Sequence, residues 1–255
     1  MLLNRRELAV FAASSAVAVA AAAPLDRAKA ATGGRIKAIA FDGFPIIDPR
    51  PVVAKAEEIF PAKGLELSNA WRTRQFEYSW LRTLGGRYSD FWQVTQESLV
   101  FATRMLKIDL SADQRDQLMQ TYLELKVWPD VAPALNQLKD AGIRMAFLSN
   151  LTNAMMDAVV KNSGLEGFLE PHLSTDKVGA FKPDPRAYQM GLDAFKLQKE
   201  EIVFAAFAGW DVAGAKWFGY PTFWVNRSGA SVEELGAVPD ACGAGLADLT
   251  KFVLA

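Results

Sequence analysis

Residues 36–48 read IKAIAFDGFPIID and decide the fold of this chain. The run before Asp42 is apolar apart from Lys37, which is typical of a strand buried on both faces of a parallel sheet. Gly43 and Pro45 then supply the residues of a turn. Ligands of open α/β sheets lie outside the carboxyl ends of the strands, so we expect the Asp42 carboxylate in that crevice. The alternative is that Asp42 only caps the helix that follows.

The composition describes a globular protein with a small-molecule substrate. The chain has 255 residues, of which 51% are hydrophobic, so it can bury a full core. Its 28 basic and 29 acidic residues give a net charge of −1, which provides no electrostatic argument for a nucleic-acid partner. Cys242 is the only cysteine, which excludes an intrachain disulfide, and the Gly-rich stretch around it makes a catalytic thiol improbable.

Residues 1–30 have the composition of an export signal. Paired arginines at Arg5 and Arg6 precede an apolar run over residues 8–23, and a small-x-small tripeptide ends at Ala30. This pattern predicts a twin-arginine signal peptide over residues 1–30 and a periplasmic location. A membrane anchor and a mis-assigned start codon are the alternatives. The apolar run is shorter than the roughly 20 residues of a membrane span, so we expect no stable span in the mature form.

The remaining chain divides into two kinds of pattern. Residues 51–127 carry helical signals, including a capping box formed by Ser111 and Gln114, and predict a helical cap domain inserted after the first strand. Residues 31–50 and 128–255 form the predicted core domain, in which helices and strands alternate as in a parallel sheet. After the first strand, further strands are predicted at 144–148, 172–174, 202–207 and, as the last, 221–225.

Polar residues follow four of these strands. They are Asp42, the pair Ser149-Asn150, Lys182 slightly beyond its strand, and Asp211. Right-handed crossovers bring the carboxyl ends of parallel strands to one rim, so we expect these side chains to converge. The sequence thus predicts a doubly wound, Rossmann-like α/β fold with its site at that rim.

The polar residues that follow these four strands, taken in this order, resemble the four motifs of the haloacid dehalogenase superfamily. The helical insert, with Trp71-Arg72, the segment 77–82 (EYSWLR) and Gly86-Arg87-Tyr88, closely resembles the cap of the L-2-haloacid dehalogenases. The resemblance implies a hydrolase that needs no cofactor and acts on short (S)-2-haloalkanoic acids. Its partners are then the 2-haloacid substrate and the released halide. The resemblance also implies that the chain pairs as a homodimer.

The resemblance assigns a role to each matching residue. Asp42 attacks the carbon that bears the halogen and forms an ester, which water then hydrolyses. Arg72 binds the substrate carboxylate or the halide, and Lys182 keeps Asp42 ionised and oriented. Asn150 and Phe91 match halide-binding positions, and Ser149 matches a binder of the substrate carboxylate. Tyr188 and Asp211 support Lys182 and the hydrolytic water, while Phe44 and Trp210 are further candidates for substrate contact.

Simpler interpretations of single residues stay open. Arg72 is a solvated helix residue in one of them, and Lys182 forms a turn salt bridge with Asp184 in another. Tyr188 alternatively packs without a polar role.

Departures from the family pattern keep two rival functions open. A phosphatase of this fold needs carboxylates where Phe44 and Phe207 stand, so a magnesium site is not expected. Ile46, Ala206 and Ala208 replace side chains that form hydrogen bonds in the family, which leaves the hydrolysis of the ester in question. The rivals are therefore a phosphatase and a catalytically impaired periplasmic binder of small carboxylates.

Overall fold

The computed structural model describes residues 36–255, and the predicted signal peptide at residues 1–30 lies outside them. A single sheet of six parallel strands runs in the order β3-β2-β1-β4-β5-β6, which confirms the predicted parallel α/β fold. The strands are β1 (Ala38–Phe41), β2 (Arg144–Ser149), β3 (Leu173–Ser174), β4 (Ile202–Ala206), β5 (Thr222–Val225) and β6 (Ala241–Gly243).

Ten α-helices accompany the sheet in the described part of the chain. None of the helices formed by residues 36–255 has the length and apolar character that crossing a membrane requires. The helices are α1 (Gly43–Ile46), α2 (Arg50–Ile59), α3 (Gly64–Leu84), α4 (Phe91–Met105), α5 (Ala112–Glu124), α6 (Val131–Asp140), α7 (Asn153–Ser163), α8 (Pro185–Phe195), α9 (Gly209–Phe218) and α10 (Leu246–Leu254).

Strand β1 lies at the centre of the sheet and carries Asp42 at its end. All four of its residues are buried, as the apolar run predicts. Phe41 pairs with Phe147 of β2 on one side and with Ala205 of β4 on the other. The backbone N–H of Asp42 donates to the carbonyl of Ala205 at 3.0 Å, so Asp42 leaves the sheet beside the end of β4.

The stretch between β1 and β2 contains helices α2 to α5, where the sequence predicts helices. Trp71 of α3 is 1% exposed, and its indole N–H donates to the carbonyl of Thr95 on α4 at 2.7 Å. Its ring meets the ring of Tyr122 on α5 at 5.4 Å between centroids. The capping box of Ser111 and Gln114 opens α5 as predicted. The boundary of a separate cap domain stays a prediction.

The prediction that residues 221–225 form the last strand is wrong. Strand β6 pairs with β5 beyond it, with Cys242 opposite Trp224. The strand has only three residues, none of which is buried, and it contains Gly243. A short edge strand of this kind shows no hydrophobic alternation, because half-exposed positions need not be apolar.

Candidate active site

One lysine lies between two carboxylates at the carboxyl end of the sheet. The Lys182 ammonium donates to Asp42 Oδ1 at 2.7 Å and to Asp211 Oδ2 at 2.6 Å. The Tyr188 hydroxyl donates to Asp211 Oδ1 at 2.6 Å. Lys182 and Tyr188 are fully buried and Asp211 is 1% exposed, whereas the Asp42 side chain keeps 13% of its surface exposed. We call these four residues the lysine cluster; Asp42 is the member that a substrate can reach.

The turn after β1 places Asp42 in the lysine cluster. Asp42 is the N-cap of α1, and its Oδ2 accepts a hydrogen bond from the backbone N–H of Phe44 at 3.3 Å, so it caps a helix and also faces the site. A side chain at Gly43 would place Cβ 2.9 Å from Leu151 Cδ1 and 3.1 Å from Ser149 Oγ. Glycine therefore permits this close approach of α1 to the end of β2.

Two helices bring the other members to the same point. Asp211 lies in the first turn of α9, directly after β4. Tyr188 lies in α8, which begins after its N-cap Asp184 and leads the hydroxyl back toward Asp211. Asp184 pairs with Arg186 at 2.8 Å, so the turn salt bridge between Asp184 and Lys182 is not formed.

Burial and mutual contact set the protonation of the lysine cluster. Burial raises the pKa of Asp211 to about 6, although the charge of Lys182 acts in the opposite direction. Burial alone would lower the pKa of Lys182, but Asp211 and Asp42 outweigh it and raise this pKa above its usual value. Burial, together with the Asp211 charge, raises the pKa of Tyr188 well above its usual range. Near neutral pH, Lys182 is charged and Asp211 is ionised but close to its pKa.

Ser149 and Asn150 present hydrogen-bond donors beside the lysine cluster. Asn150 Oδ1 accepts from the backbone N–H of Lys182 at 3.0 Å, and its amide nitrogen has no acceptor among residues 36–255. Ser149 is 2% exposed; its Oγ accepts from the backbone N–H of Leu151 at 3.2 Å and donates to no described residue. Both groups are thus free to donate to an anion.

Phe91 and Phe44 lie next to members of the lysine cluster. The Phe91 ring, 3% exposed at the start of α4, lies 6.2 Å from the ring of Phe181, the residue before Lys182. The Phe44 ring lies 6.0 Å from the ring of Phe207, just beyond β4. The Phe44 ring thus gives the turn that carries Asp42 an apolar neighbour, and the Phe91 ring does the same for the residue before Lys182.

Trp210 connects the site to helix α3. Its ring lies 5.2 Å from the ring of Phe76 and 5.6 Å from the ring of Trp80, measured between centroids. The indole N–H groups of Trp80 and Trp210 are buried and have no hydrogen-bond partner within residues 36–255. The residue before Asp211 therefore contacts the helix that carries Arg72.

Arg72 does not join the lysine cluster in this structure. Its side chain is exposed and forms no hydrogen bond or ion pair with the described residues. Arg72 lies four residues before Phe76, and side chains at that spacing share one face of a helix. Because Phe76 contacts Trp210, Arg72 lies on the side of α3 that faces the first turn of α9. Its predicted role as an anion ligand is compatible with an unpaired guanidinium there, and stays a prediction.

Several contacts of the site were missed by the sequence argument. The Phe204 ring lies under Lys182, with Nζ 4.9 Å from its centroid. Trp128 and Arg227 donate to backbone carbonyls of α1. Arg227 follows strand β5 closely, but nothing in the sequence indicates that its partner is the turn after Asp42.

Within residues 36–255, no three His, Cys, Asp or Glu side chains are grouped so that they could hold a metal ion. The two carboxylates of the lysine cluster are bonded to the Lys182 ammonium. The positive charge of Lys182 thus neutralises one of the two negative carboxylate charges.

The fold and the lysine cluster define a hydrolase of the haloacid dehalogenase type. Residues 36–219 match the family model of haloacid dehalogenase-like hydrolases, and the chain belongs to that family. It is 42% identical over 206 residues to the (S)-2-haloacid dehalogenase of Pseudomonas sp. strain YL, an alignment that covers 80% of this chain and 89% of the relative.

Solved structures agree with this assignment. One L-2-haloacid dehalogenase structure matches with a TM-score of 0.84 at 38% identity, and the match covers 86% of this chain and 99% of that one. The L-2-haloacid dehalogenase of Xanthobacter autotrophicus, solved with chloropropionic acid covalently bound, matches with a TM-score of 0.78 at 32% identity. That match covers 86% of this chain and 98% of the other.

Proposed function

We propose that this enzyme hydrolyses short (S)-2-haloalkanoic acids to 2-hydroxy acids through an ester on Asp42. The observation that carries the proposal is the lysine cluster, in which the partly exposed Asp42 is held by the buried Lys182. Membership of the haloacid dehalogenase-like family and the relatives at about 40% identity support it.

In the first step, Asp42 displaces the halide. Oδ1 is held by Lys182 at 2.7 Å, whereas Oδ2 accepts only the longer bond from Phe44 at 3.3 Å. Oδ2 is therefore the attacking oxygen. It forms a bond to C2 of the substrate as the carbon–halogen bond breaks, the bonding electron pair leaves with the halide, and C2 is inverted. Apolar surroundings favour this step because they strip water from the carboxylate.

In the second step, water hydrolyses the ester at the carbonyl carbon of Asp42. Asp211 accepts a proton from the water, because burial makes its carboxylate a stronger base than an exposed one. Lys182 stabilises the negative charge that develops on the carbonyl oxygen. The bond between that carbon and the substrate oxygen then breaks, and Asp211 returns its proton to that oxygen, which releases the 2-hydroxy acid. Asp42 loses its carboxyl proton to solvent and is restored as a carboxylate.

The substrate anions are bound by donors that have no other partner. Ser149 donates its hydroxyl to the substrate carboxylate, and Asn150 donates its amide N–H to the departing halide, next to Phe91. Arg72 supplies the positive charge from α3. A fixed, planar guanidinium suits either anion.

A catalytically impaired binder of small carboxylates is the second candidate. It is favoured by Ile46 and Ala206, which are fully buried and provide no side-chain hydrogen bond near Asp42. Such a protein binds 2-haloacids but forms no ester. A phosphatase of this fold is disfavoured because Phe44 and Phe207 lie beside Asp42 in place of carboxylates.

The test is halide release from L- and D-2-chloropropionate and from chloroacetate by residues 31–255, with EDTA present and with Asp42→Asn in parallel. Release by the wild type alone, with the L enantiomer preferred, is the expected result. No release by a folded wild type favours the binder, and phosphate release that requires magnesium favours the phosphatase.

We further propose that residues 1–30 direct twin-arginine export to the periplasm and that the mature protein pairs as a homodimer. The paired arginines at Arg5 and Arg6 support export, and the resemblance supports pairing. Arg5→Lys together with Arg6→Lys should retain the protein in the cytosol. Light scattering on residues 31–255 reports the mass in solution, and a monomer mass contradicts the pairing.

A further inference from the structure

Helix α1, which carries Asp42 at its start, is fixed by donors from outside. A helix of one turn leaves most of its carbonyls without partners in the helix. Trp128 and Arg227 supply three of the missing donors. The bonds run from Trp128 Nε1 to the Phe44 carbonyl at 3.1 Å, from the Trp128 backbone N–H to the Ile46 carbonyl at 3.0 Å, and from Arg227 Nη2 to the Pro45 carbonyl at 2.9 Å.

The indole of Trp128 contacts two guanidinium groups. The Arg50 guanidinium lies 4.6 Å from its ring centroid, and the Arg227 guanidinium lies 4.7 Å from it. Cations within about 6 Å of an indole face are attracted to it. Asp48 pairs with Arg50 at 2.6 Å, and Asp130 pairs with Arg227 at 2.9 Å, so both cations are anchored. The direction of the Trp128 N–H is therefore fixed.

These contacts lie where the chain enters and leaves the helices α2 to α5. Ile47 and Val127 form an antiparallel bridge, and the backbone N–H of Asp48 donates to the carbonyl of Lys126 at 2.9 Å. Trp128 is the next residue after this bridge. The two crossing segments are thus bonded to each other and, through Trp128, to the turn that carries Asp42.

We propose that Trp128 and Arg227 are positioning residues that aim Asp42 at the substrate carbon. The proposal rests on the proposed function. Displacement at carbon requires the attacking oxygen to lie in line with the leaving halide, and a misplacement of about 1 Å costs on the order of 100-fold in rate. Rotation of α1 would turn Asp42, its N-cap, away from that line. Trp128 and Arg227 hold α1 against this rotation without touching the substrate.

Trp128→Phe tests the role because it removes the N–H donor and keeps an aromatic ring beside the two guanidiniums. Trp217→Phe is the matched control, since Trp217 lies in α9, is 60% exposed and forms no hydrogen bond with α1. Each protein in molar excess is mixed with L-2-chloropropionate, and mass spectrometry of quenched samples follows formation and loss of the Asp42 ester.

For Trp128→Phe we expect ester formation to slow about fivefold to tenfold, the effect of one lost hydrogen bond. The Kd for the substrate, obtained from the dependence of ester formation on enzyme concentration, and the rate of ester hydrolysis should stay within about twofold, because they do not depend on the line of attack. Trp217→Phe should match the wild type in all three. A purely structural contact would instead lower the melting temperature and leave ester formation unchanged, and that result overturns the proposal.

Arg227→Lys is a second variant, which tests the same role if Trp128→Phe does not fold. Lysine keeps a cation over the indole and near Asp130, but one ammonium cannot reproduce the fork that also reaches the Pro45 carbonyl. Slower ester formation with an unchanged Kd for the substrate is again the expected result. If the wild type forms no ester at all, the proposed function fails and the positioning role with it. If the wild type forms ester and both variants form it equally fast, only the positioning role fails.

Discussion

Tyr188→Phe should move the acid limb of the pH–rate profile to higher pH. The variant removes the hydroxyl that donates to Asp211 Oδ1 at 2.6 Å, and both residues are buried. A hydrogen bond to a charged group contributes about 1.5–3 kcal/mol. Because one pKa unit corresponds to about 1.4 kcal/mol, its loss should raise the pKa of Asp211 by about one to two units. Protonated Asp211 no longer accepts a proton from water, so turnover falls.

The assay is the rate of hydrolysis of the Asp42 ester formed from L-2-chloropropionate, followed by mass spectrometry of quenched samples as a function of pH. The wild-type acid limb should report Asp211 in the ester form, in which loss of the Asp42 charge places its pKa below the value of about 6 in the free enzyme. Tyr220→Phe is the control, because Tyr220 donates to the backbone carbonyl of Tyr188 at 2.7 Å and not to Asp211. An acid limb that stays in place in Tyr188→Phe, or that moves equally in Tyr220→Phe, refutes the reasoning.

The same variant, Tyr188→Phe, should also change how the free energy of unfolding depends on pH. The folded state raises the pKa of Asp211 above its usual 3.8, so the folded state binds the proton more tightly than the unfolded chain. Stability from this group is therefore lost as pH rises from 3.8 to about 6. Tyr188→Phe should extend the loss to higher pH, and urea unfolding at several pH values measures it.

Three further substitutions test Lys182 and two residues that lie next to the lysine cluster. Lys182→Met leaves two buried carboxylates unpaired and should cost about 3–5 kcal/mol at neutral pH, partly recovered under acid conditions in urea unfolding. Gly214→Ala places Cβ 2.3 Å from the Tyr188 hydroxyl and should lower the melting temperature and shift the acid limb as Tyr188→Phe does. Ala206→Ser adds a hydroxyl beside Asp42 and should speed ester hydrolysis about fivefold, measured by quenched mass spectrometry, with ester formation unchanged.

The fold was predictable where one local pattern decides an element. The apolar run before Asp42 predicts a buried strand, and all four residues of β1 are buried. The capping signal at Ser111 marks the start of a helix, α5, that the structure confirms. In each case the deciding interactions lie within a few residues of the chain.

The remaining contacts depend on residues far apart in sequence. Strand β6 forms because residues 241–243 pair with the free edge of β5. The three residues of β6 do not themselves favour a strand. The bond from Trp128 to the Phe44 carbonyl spans 84 residues, and the bond from Arg227 to the Pro45 carbonyl spans 182. Composition and spacing carry no information about such pairs. The polar residues after the strands were predictable as a set because the topology alone brings strand ends together.

The charges of the lysine cluster change in the course of the proposed reaction. Before reaction, two carboxylates share one buried ammonium, and the charge of Asp42 is one of the causes that raise the pKa of Asp211. Formation of the ester neutralises Asp42 and leaves Lys182 and Asp211 as a balanced pair. The loss of that negative charge lowers the pKa of Asp211 and keeps it ionised. Alkylation of Asp42 thus leaves Asp211 in the form that accepts a proton from water.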